Sequence, residues 1–432
     1  MHKLEIKLKQ HTPLIHFQHD QEGATLRASE VKPKLDRYII NKAFHDNFEE
    51  CKEFLVGYNP DPKKQDDSIK TLRSKWNSGY RALNYKISIK RDESSSKKEF
   101  LIASYIKDDS VKEIELLGIS ILNGTPYFAQ EKQNGEFSKA PKYEKKRIWD
   151  NYDKKGVLES RDIVINIVWF NTFTSWINEI QPFFISTNFG TRQSKGFGSF
   201  EVVEMLFDNN IITKKPVEEL LKQNFKFVYK KVLSNSTLAQ IFSTINDDYK
   251  LIKSGRTRPY LKSKLMLYGG NVGWDKKFIK EQIDDVYEDE KGEGYLLKCK
   301  PQNKKENYRS CDEYKFFRAL LGLAEHYEFL LENPPAGKPV NKLIVKISHP
   351  DIKRYQSPLL FKVIGNNIYL VGNDVDSKLF SKHFELSVTI KGDKAWVNDK
   401  IEGIDTPDSF SLINFIRFAM RDNANLNYIQ LK

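Results

Sequence analysis

The run GTRQSKGFGSF, from Gly190 to Phe200, has the residue types and spacing of binding machinery. Gly190, Gly196 and Gly198 admit backbone angles that other residues resist, and none carries a Cβ that would hold a ligand off. Arg192 and Lys195 add two cations. Backbone N–H groups and two cations together form a cradle for phosphates. The competing reading is a tight turn whose charges are simply solvated. A nucleotide-binding P-loop is excluded, because that loop follows a strand, opens a helix and ends in Gly-Lys-Ser/Thr. Here the order is helix, loop, strand.

A second basic cluster, Arg27, Ser29, Lys32 and Lys34, falls at an expected helix start. Helix N-termini already favour anions through free N–H groups and the dipole. Taken singly, Lys32 and Lys34 read as solvated helix residues; taken with the loop they read as a second anion site. A third set, Arg256 and Arg258 within Lys253 to Lys264, interleaves cations with Tyr260, as single-strand RNA contacts do. Lys75 to Arg81, with Trp76 and Tyr80, has the same character. In both, packed loop aromatics are the equal alternative.

Catalytic chemistry finds little support. His2, His11, His16, His19 and His45 crowd the N-terminal region, yet His16-x-x-His19 has no matching ligand pair elsewhere in a zinc pattern. The acidic pairs, such as Asp66-Asp67 and Asp247-Asp248, fall in loops or on polar helix faces and give no clear catalytic pair, while two-metal chemistry needs convergent carboxylates, which sequence does not display. No G-x-S-x-G elbow is present. The expectation is binding without catalysis, cofactor or metal. The runner-up is RNA cleavage with His16 or His19 as general base, attacking through the substrate's own 2′-OH.

The elements that must position these residues alternate between periods. Lys3 to Lys9 has the two-residue alternation of a strand, ended by Thr12-Pro13. Leu26 to Phe48 is helical, with Pro33 suggesting a start near Lys32. Further strands are expected at Asn84 to Lys90, Phe100 to Ile106, Val111 to Leu122, Ile163 to Phe170 and Ser199 to Phe207, and a helix at Thr172 to Ile180. The second half promises helices at Ser236 to Ile252, Trp274 to Tyr287, Glu313 to Leu331 and Asp408 to Arg421, the last capped by Asp408 or Ser409. Strands at Leu343 to Ile347, Leu359 to Ile364, Ile368 to Val371 and Glu385 to Ile390 complete it, with a hairpin turn at Gly365-Asn366-Asn367. The class is α+β.

The 432 residues allow two or three domains. A formal charge of +12 favours an anionic partner. Three scattered cysteines, Cys51, Cys299 and Cys311, exclude a disulfide framework and a four-cysteine zinc module, and fit a reducing cytoplasm. No apolar run spans a membrane, and the N-terminus has no signal-peptide core.

The loop, with Arg192 and the Gly196-Phe197-Gly198-Ser199 ending, resembles the glycine-rich loop of RAMP proteins, the RNA-binding subunits of CRISPR systems. It is most similar to the first-numbered RAMP subunit of the type III-B (Cmr) effector complex. Three other segments agree: Thr12-Pro13 with Leu26-Arg27-Ala28-Ser29 through Leu35, then Arg318 to Leu323, then Arg354-Tyr355-Gln356-Ser357-Pro358-Leu359. The departures are Pro33 in place of a glycine, and Gln193 and Lys195 where arginines are common. The resemblance implies two ferredoxin-like, RRM-related units with helical and loop insertions. They are expected over residues 1–208 and 209–432, with an insertion around 59–161. It implies a non-catalytic subunit at the head of the complex, near the 3′ end of the guide RNA, which helps to bind guide and target RNA in antiviral defence. Its partners would be those RNAs and the other Cmr subunits.

Overall fold

The computed structural model describes residues 1–15, 25–90, 97–126, 141, 144, 156–257, 260–270, 272–282, 287–288, 294–295, 313–323, 326–330, 342–390, 398–421 and 425–432. Two compact units emerge. The first comprises Met1–Asp247, Leu360–Val371 and Ile429–Lys432; the second comprises Asp248–Leu359 and Gly372–Tyr428.

The first unit is built on β1 (His2–Gln10), α1 (Ala28–Phe44), β2 (Lys86–Lys90), β3 (Ile163–Trp169), α2 (Ile180–Ser186) and β4 (Phe200–Phe207). Their sheet order is β2-β3-β1-β4, with Asn210–Ile211 added beyond β4. Every neighbouring pair is antiparallel. Read from β4 this is the 4-1-3-2 order of a ferredoxin-like βαββαβ unit. The alternation in β1 decides which face is buried: Leu4, Ile6 and Leu8 are fully buried. They join Val31, Leu35 and Ile39 of α1 and Phe183 and Phe184 of α2 in one core. β1 and β4 bulge between Lys7 and Leu8.

Two further sheets complete this unit. One runs Leu14–Ile15, Gly156–Glu159, Lys97–Ile102, Ser120–Leu122, so the insertion between residues 59 and 161 pairs with the segment just after β1. The other runs Leu359–Ile364, Asn367–Gly372, Phe227–Val232, Ile429–Gln430. The expected hairpin is there, with Gly365 at φ +57.

The second unit is also α+β. Its four-stranded sheet, His326–Leu330, Lys342–Ser348, His383–Ile390 and Asn398–Asp405, runs antiparallel in sequential order. The helix Leu412–Arg421 buries Phe415, Ile416 and Ala419.

Four expectations are corrected. α1 begins at Ala28, with Arg27 as its N-cap and Pro33 inside. The carbonyl deprived of a donor by Pro33 belongs to exposed Ser29, where water can serve it. Asp108–Glu115 is a helix rather than strand, because Asp108 and Asp109 suit a first turn and Val111 and Ile114 share one face. Glu313 to Leu331 is not one helix. A single turn, Phe317–Leu320, ends where Gly322 takes φ +111, and the strand His326–Leu330 follows. The C-terminal helix is capped by Ser411, whose Oγ accepts from Asn414 N.

Candidate functional site

The glycine-rich loop lies between α2 and β4 and is seated on the chain just after β1. Gly198 N donates to Pro13 O (2.9 Å), Thr191 N to Ile15 O (2.8 Å), and Phe189 N to Gly198 O (2.9 Å). Thr12, fully buried, holds both ends: its Oγ1 donates to Gly196 O (2.7 Å) and accepts from Ser199 N (2.9 Å). This explains why proline follows threonine there. Pro13 needs only its carbonyl, while the hydroxyl before it makes the bonds.

The glycines serve backbone packing. A Cβ on Gly198 would lie 2.0 Å from Phe189 O, and one on Gly190 would lie 2.4 Å from Ile15 O. Their φ values are +64 and +76. The expectation that glycine amides face a ligand is corrected, because all three are taken within the protein. Gly190 N donates to Glu30 Oε1 (2.5 Å), Gly196 N to Gln193 O (3.4 Å) and Gly198 N to Pro13 O.

The helix start and the loop do come together. Besides the Glu30–Gly190 bond, Lys34 Nζ donates to Asn188 O (3.2 Å) and Gln193 Oε1 (3.1 Å), and sits over the Phe189 ring. Burial lowers the Lys34 pKa. Lys34 is thus a brace for the loop. Lys32 turns the other way, and its reading as an anion contact is corrected. Its ammonium donates to buried Asp36 (2.8 Å) and Leu83 O (2.9 Å), 4.0 Å from the Tyr85 ring centroid. Burial raises the Asp36 pKa and Lys32 opposes that shift.

Arg192 is 9% exposed, at φ +56, with Nη1 on Thr125 Oγ1 (3.1 Å) and its guanidinium over Phe197. It ties the loop to the insertion sheet. Lys195 is half-buried in a turn closed by its N–H on Arg192 O (2.8 Å), and it bridges to Phe361. Ser29 is exposed on the first turn of α1.

Arg27 stands apart. Its backbone carbonyl starts α1, accepting from Glu30 N and Val31 N (both 3.0 Å). Its Nε and Nη2 are buried and have no hydrogen-bond partner among the described residues. The Thr191 hydroxyl in the loop is likewise buried and unpartnered. Buried donors almost always find acceptors, and a guanidinium has only donors to offer. The Arg27 guanidinium is therefore short of acceptors, which is the condition of an anion contact.

Residues 1–256 match the family model of the Cmr1 N-terminal domain, and residues 260–431 that of the Cmr1 C-terminal domain. The chain belongs to the Cmr1 family. It is a Cmr1-type subunit of the type III-B CRISPR effector complex. Among solved structures it is similar to the crystal structure of Cmr1 from Pyrococcus furiosus in its apo form, at 11% identity and a TM-score of 0.33, covering 100% of this chain and 98% of that one. No curated protein matches it.

Several residues of this Cmr1 site carry no composition signal. Hydrogen bonds from strand Leu359–Ile364 complete the loop: Phe361 N donates to Ser194 O (3.1 Å), Asn188 Nδ2 to Phe361 O (3.0 Å) and Ser199 Oγ to Val363 O (2.7 Å). Between them Lys362, fully buried, donates to Phe184 O (2.7 Å) and Thr187 O (3.0 Å) at the end of α2. Burial pulls its pKa down to about 7.

In the second unit of this Cmr1 chain, Arg256 is half-buried in a two-residue strand paired with Tyr260–Leu261; Arg258 lies outside the described residues, as do His16 and His19. Lys253 instead caps the Arg318–Leu323 segment, donating to Leu321 O (2.9 Å) and Gly322 O (2.8 Å). Leu323 N in turn donates to Tyr355 O (3.2 Å), so two of the resembling segments meet. Arg318 lies in a buried ion pair with Asp275, whose carboxylate also accepts from the Tyr327 hydroxyl. Trp76 is a core residue with Arg81 stacked on it, which favours packing for the Lys75–Arg81 set. Among the described residues no cluster of His, Cys, Asp and Glu is placed to hold a metal, and no helix is long and apolar enough to cross a membrane.

Proposed function

We propose that this Cmr1-type subunit acts by binding single-stranded RNA, without a catalytic step of its own, and contributes to holding the guide RNA near its 3′ end and the target RNA. The observation that carries the reading is the Arg27 guanidinium, with two buried nitrogens lacking acceptors at the start of α1. A phosphodiester supplies charged acceptors in the plane a guanidinium prefers. Glu30 and Lys34, on the same helix, fix the glycine-rich loop beside that start. Lys195 and exposed Ser29 add contacts at the rim. Arg256 and Arg258 are proposed as separate RNA contacts, independent of this site. The glycines act by shaping the loop.

The test is RNA affinity across a salt series for Arg27→Ala and Arg27→Lys. Loss of one phosphate contact weakens binding and lowers the log–log salt slope by about 0.7 for single strands. Lysine restores the slope but only part of the affinity, since it lacks the bidentate fork. An unchanged affinity and slope in Arg27→Ala would remove Arg27 from the site. Metal-free cleavage of a CRISPR-repeat RNA, lost in His16→Ala or His19→Ala, would overturn the binding-only reading.

A further inference from the structure

A cavity of about 290 Å³ lies in the first unit behind the glycine-rich loop, between α2, the start of β4 and α3 (Val217–Asn224). Its floor is apolar: Ile185, Val202 and Leu220 are buried there. The exposed Lys214 and Lys215 also line it, and Lys214 is close enough to Glu201 to help lower the pKa of that carboxylate. Gln181 lines the wall and is 8% exposed. Its Oε1 accepts from Lys215 N (3.0 Å). A backbone N–H can only donate, so that contact fixes the amide orientation and leaves Nε2 turned away from it. Nε2 has no hydrogen-bond partner among the described residues.

Glu201 lines the opposite wall and is held in place. Gly365 N donates to His11 Nδ1 (3.0 Å), so the proton sits on Nε2 and is donated to Glu201 Oε2 (3.0 Å). That bond keeps the carboxylate ionised, its pKa lowered chiefly by His11. The cavity therefore has an apolar lining, the Gln181 amide donor, a fixed carboxylate acceptor and two exposed cations.

We infer that this cavity receives one nucleobase, splayed out from the RNA strand that the neighbouring loop holds. The inference rests on the proposed RNA-binding function and adds a site to it. The volume is near the lower limit of about 300 Å³ for small-ligand pockets, the scale of a ring system rather than a whole nucleotide. Single-stranded RNA is read by bases turned out of the stack, with donors and acceptors meeting their edges. Lys214 and Lys215 meet the flanking phosphates. A neighbouring subunit's apolar side chain would fill the floor but would leave the Gln181 amide without an acceptor.

The experiment uses the full chain and a short single-stranded RNA carrying 2-aminopurine at successive positions. One position should brighten on binding as its base leaves the stack. Val217→Phe, which fills the cavity from the half-buried first residue of α3, should abolish that rise, weaken binding on the order of tenfold, and leave the salt slope unchanged. Lys214→Ala/Lys215→Ala should lower the slope by about 1.4. Being exposed, this pair decides the matter even if Val217→Phe does not fold. A fluorescence rise that survives in folded Val217→Phe, or an unchanged slope in the lysine pair, overturns the inference. So does a Val217→Phe protein that loses a neighbouring Cmr subunit but keeps its RNA affinity. Arg27→Ala separates the two readings, because it should lower the slope and keep the rise at saturating RNA. Wild-type protein that binds no RNA overturns both.

Discussion

Replacing Gly198 with alanine should harm the first unit far more than the same change at Gly365. Both glycines have left-handed backbones, φ +64 and +57, so both variants meet the same intrinsic penalty of roughly 1–2 kcal/mol. At Gly365 nothing lies within 4 Å of the new Cβ. At Gly198 it would lie 2.0 Å from Phe189 O, 2.8 Å from Phe189 C and 3.0 Å from Phe189 N. Those are backbone atoms of a segment hydrogen-bonded to Gly198 itself, so no rotamer change relieves the overlap. Moving the loop sacrifices the Gly198–Pro13 bond and both Thr12 hydroxyl bonds. At about 1 kcal/mol each, these bring the total to about 4–5 kcal/mol. For a unit of this size about 2–4 °C of Tm follows each kcal/mol. Thermal unfolding should therefore drop by about 2–8 °C for Gly365→Ala, and by about 8–20 °C for Gly198→Ala. Equal shifts would refute the claim that the loop glycine is required by backbone contact.

Stability should also depend on pH through Lys362. Its native pKa of about 7 lies below the ordinary 10.5, so between those values the unfolded chain holds the extra proton. Stability then rises with pH across that window, by about 1.4 kcal/mol per unit at most, and the full penalty applies below pH 7. Measured against Lys362→Met, which lacks the titrating group, the difference in unfolding free energy should grow from pH 7 to 9; a flat difference refutes the assignment. Lys32→Met should cost several kcal/mol in unfolding experiments by stranding buried Asp36, with little change in the RNA affinity of the folded protein. Lys34→Met should do the reverse, weakening RNA binding several-fold by releasing the loop. Identical profiles for the two lysines would refute their division of labour.

Much of the first unit is legible because local patterns there agree with tertiary demands. The alternation of Leu4, Ile6 and Leu8 becomes a sheet's buried face, and Thr12-Pro13 ends the strand as its chemistry requires. The loop's position is legible too, but the direction of its groups is not. Lys32 and Lys34 are two residues apart on one helix, and only the neighbours supplied by Leu83 and Asn188 send them to opposite tasks. Glycines suited to a ligand and glycines suited to a backbone crossing look the same in sequence. In Glu313 to Leu331 the spacing of Phe316 and Leu320 fits a helix, whereas Tyr327 and Phe329 alternate as a strand. Short apolar runs satisfy both periods, and Gly322 is the punctuation between them. The contribution of Phe361, Lys362 and Val363 is invisible locally, since a strand's sequence does not name its distant partners.

That last strand bears on how the protein is made. Ser199 and Val363 are 164 residues apart, and the Lys362 bond to Phe184 spans 178. At roughly 5–20 residues per second, a ribosome needs on the order of 10–30 s after finishing the loop to deliver what closes it. During that interval β1 and β4 can already pair, but Asn188 and Ser199 lack their bonds to Phe361 and Val363. Loop maturation is thus timed by translation of the hairpin, and the RNA binding proposed for this region would follow only after the hairpin has left the ribosome.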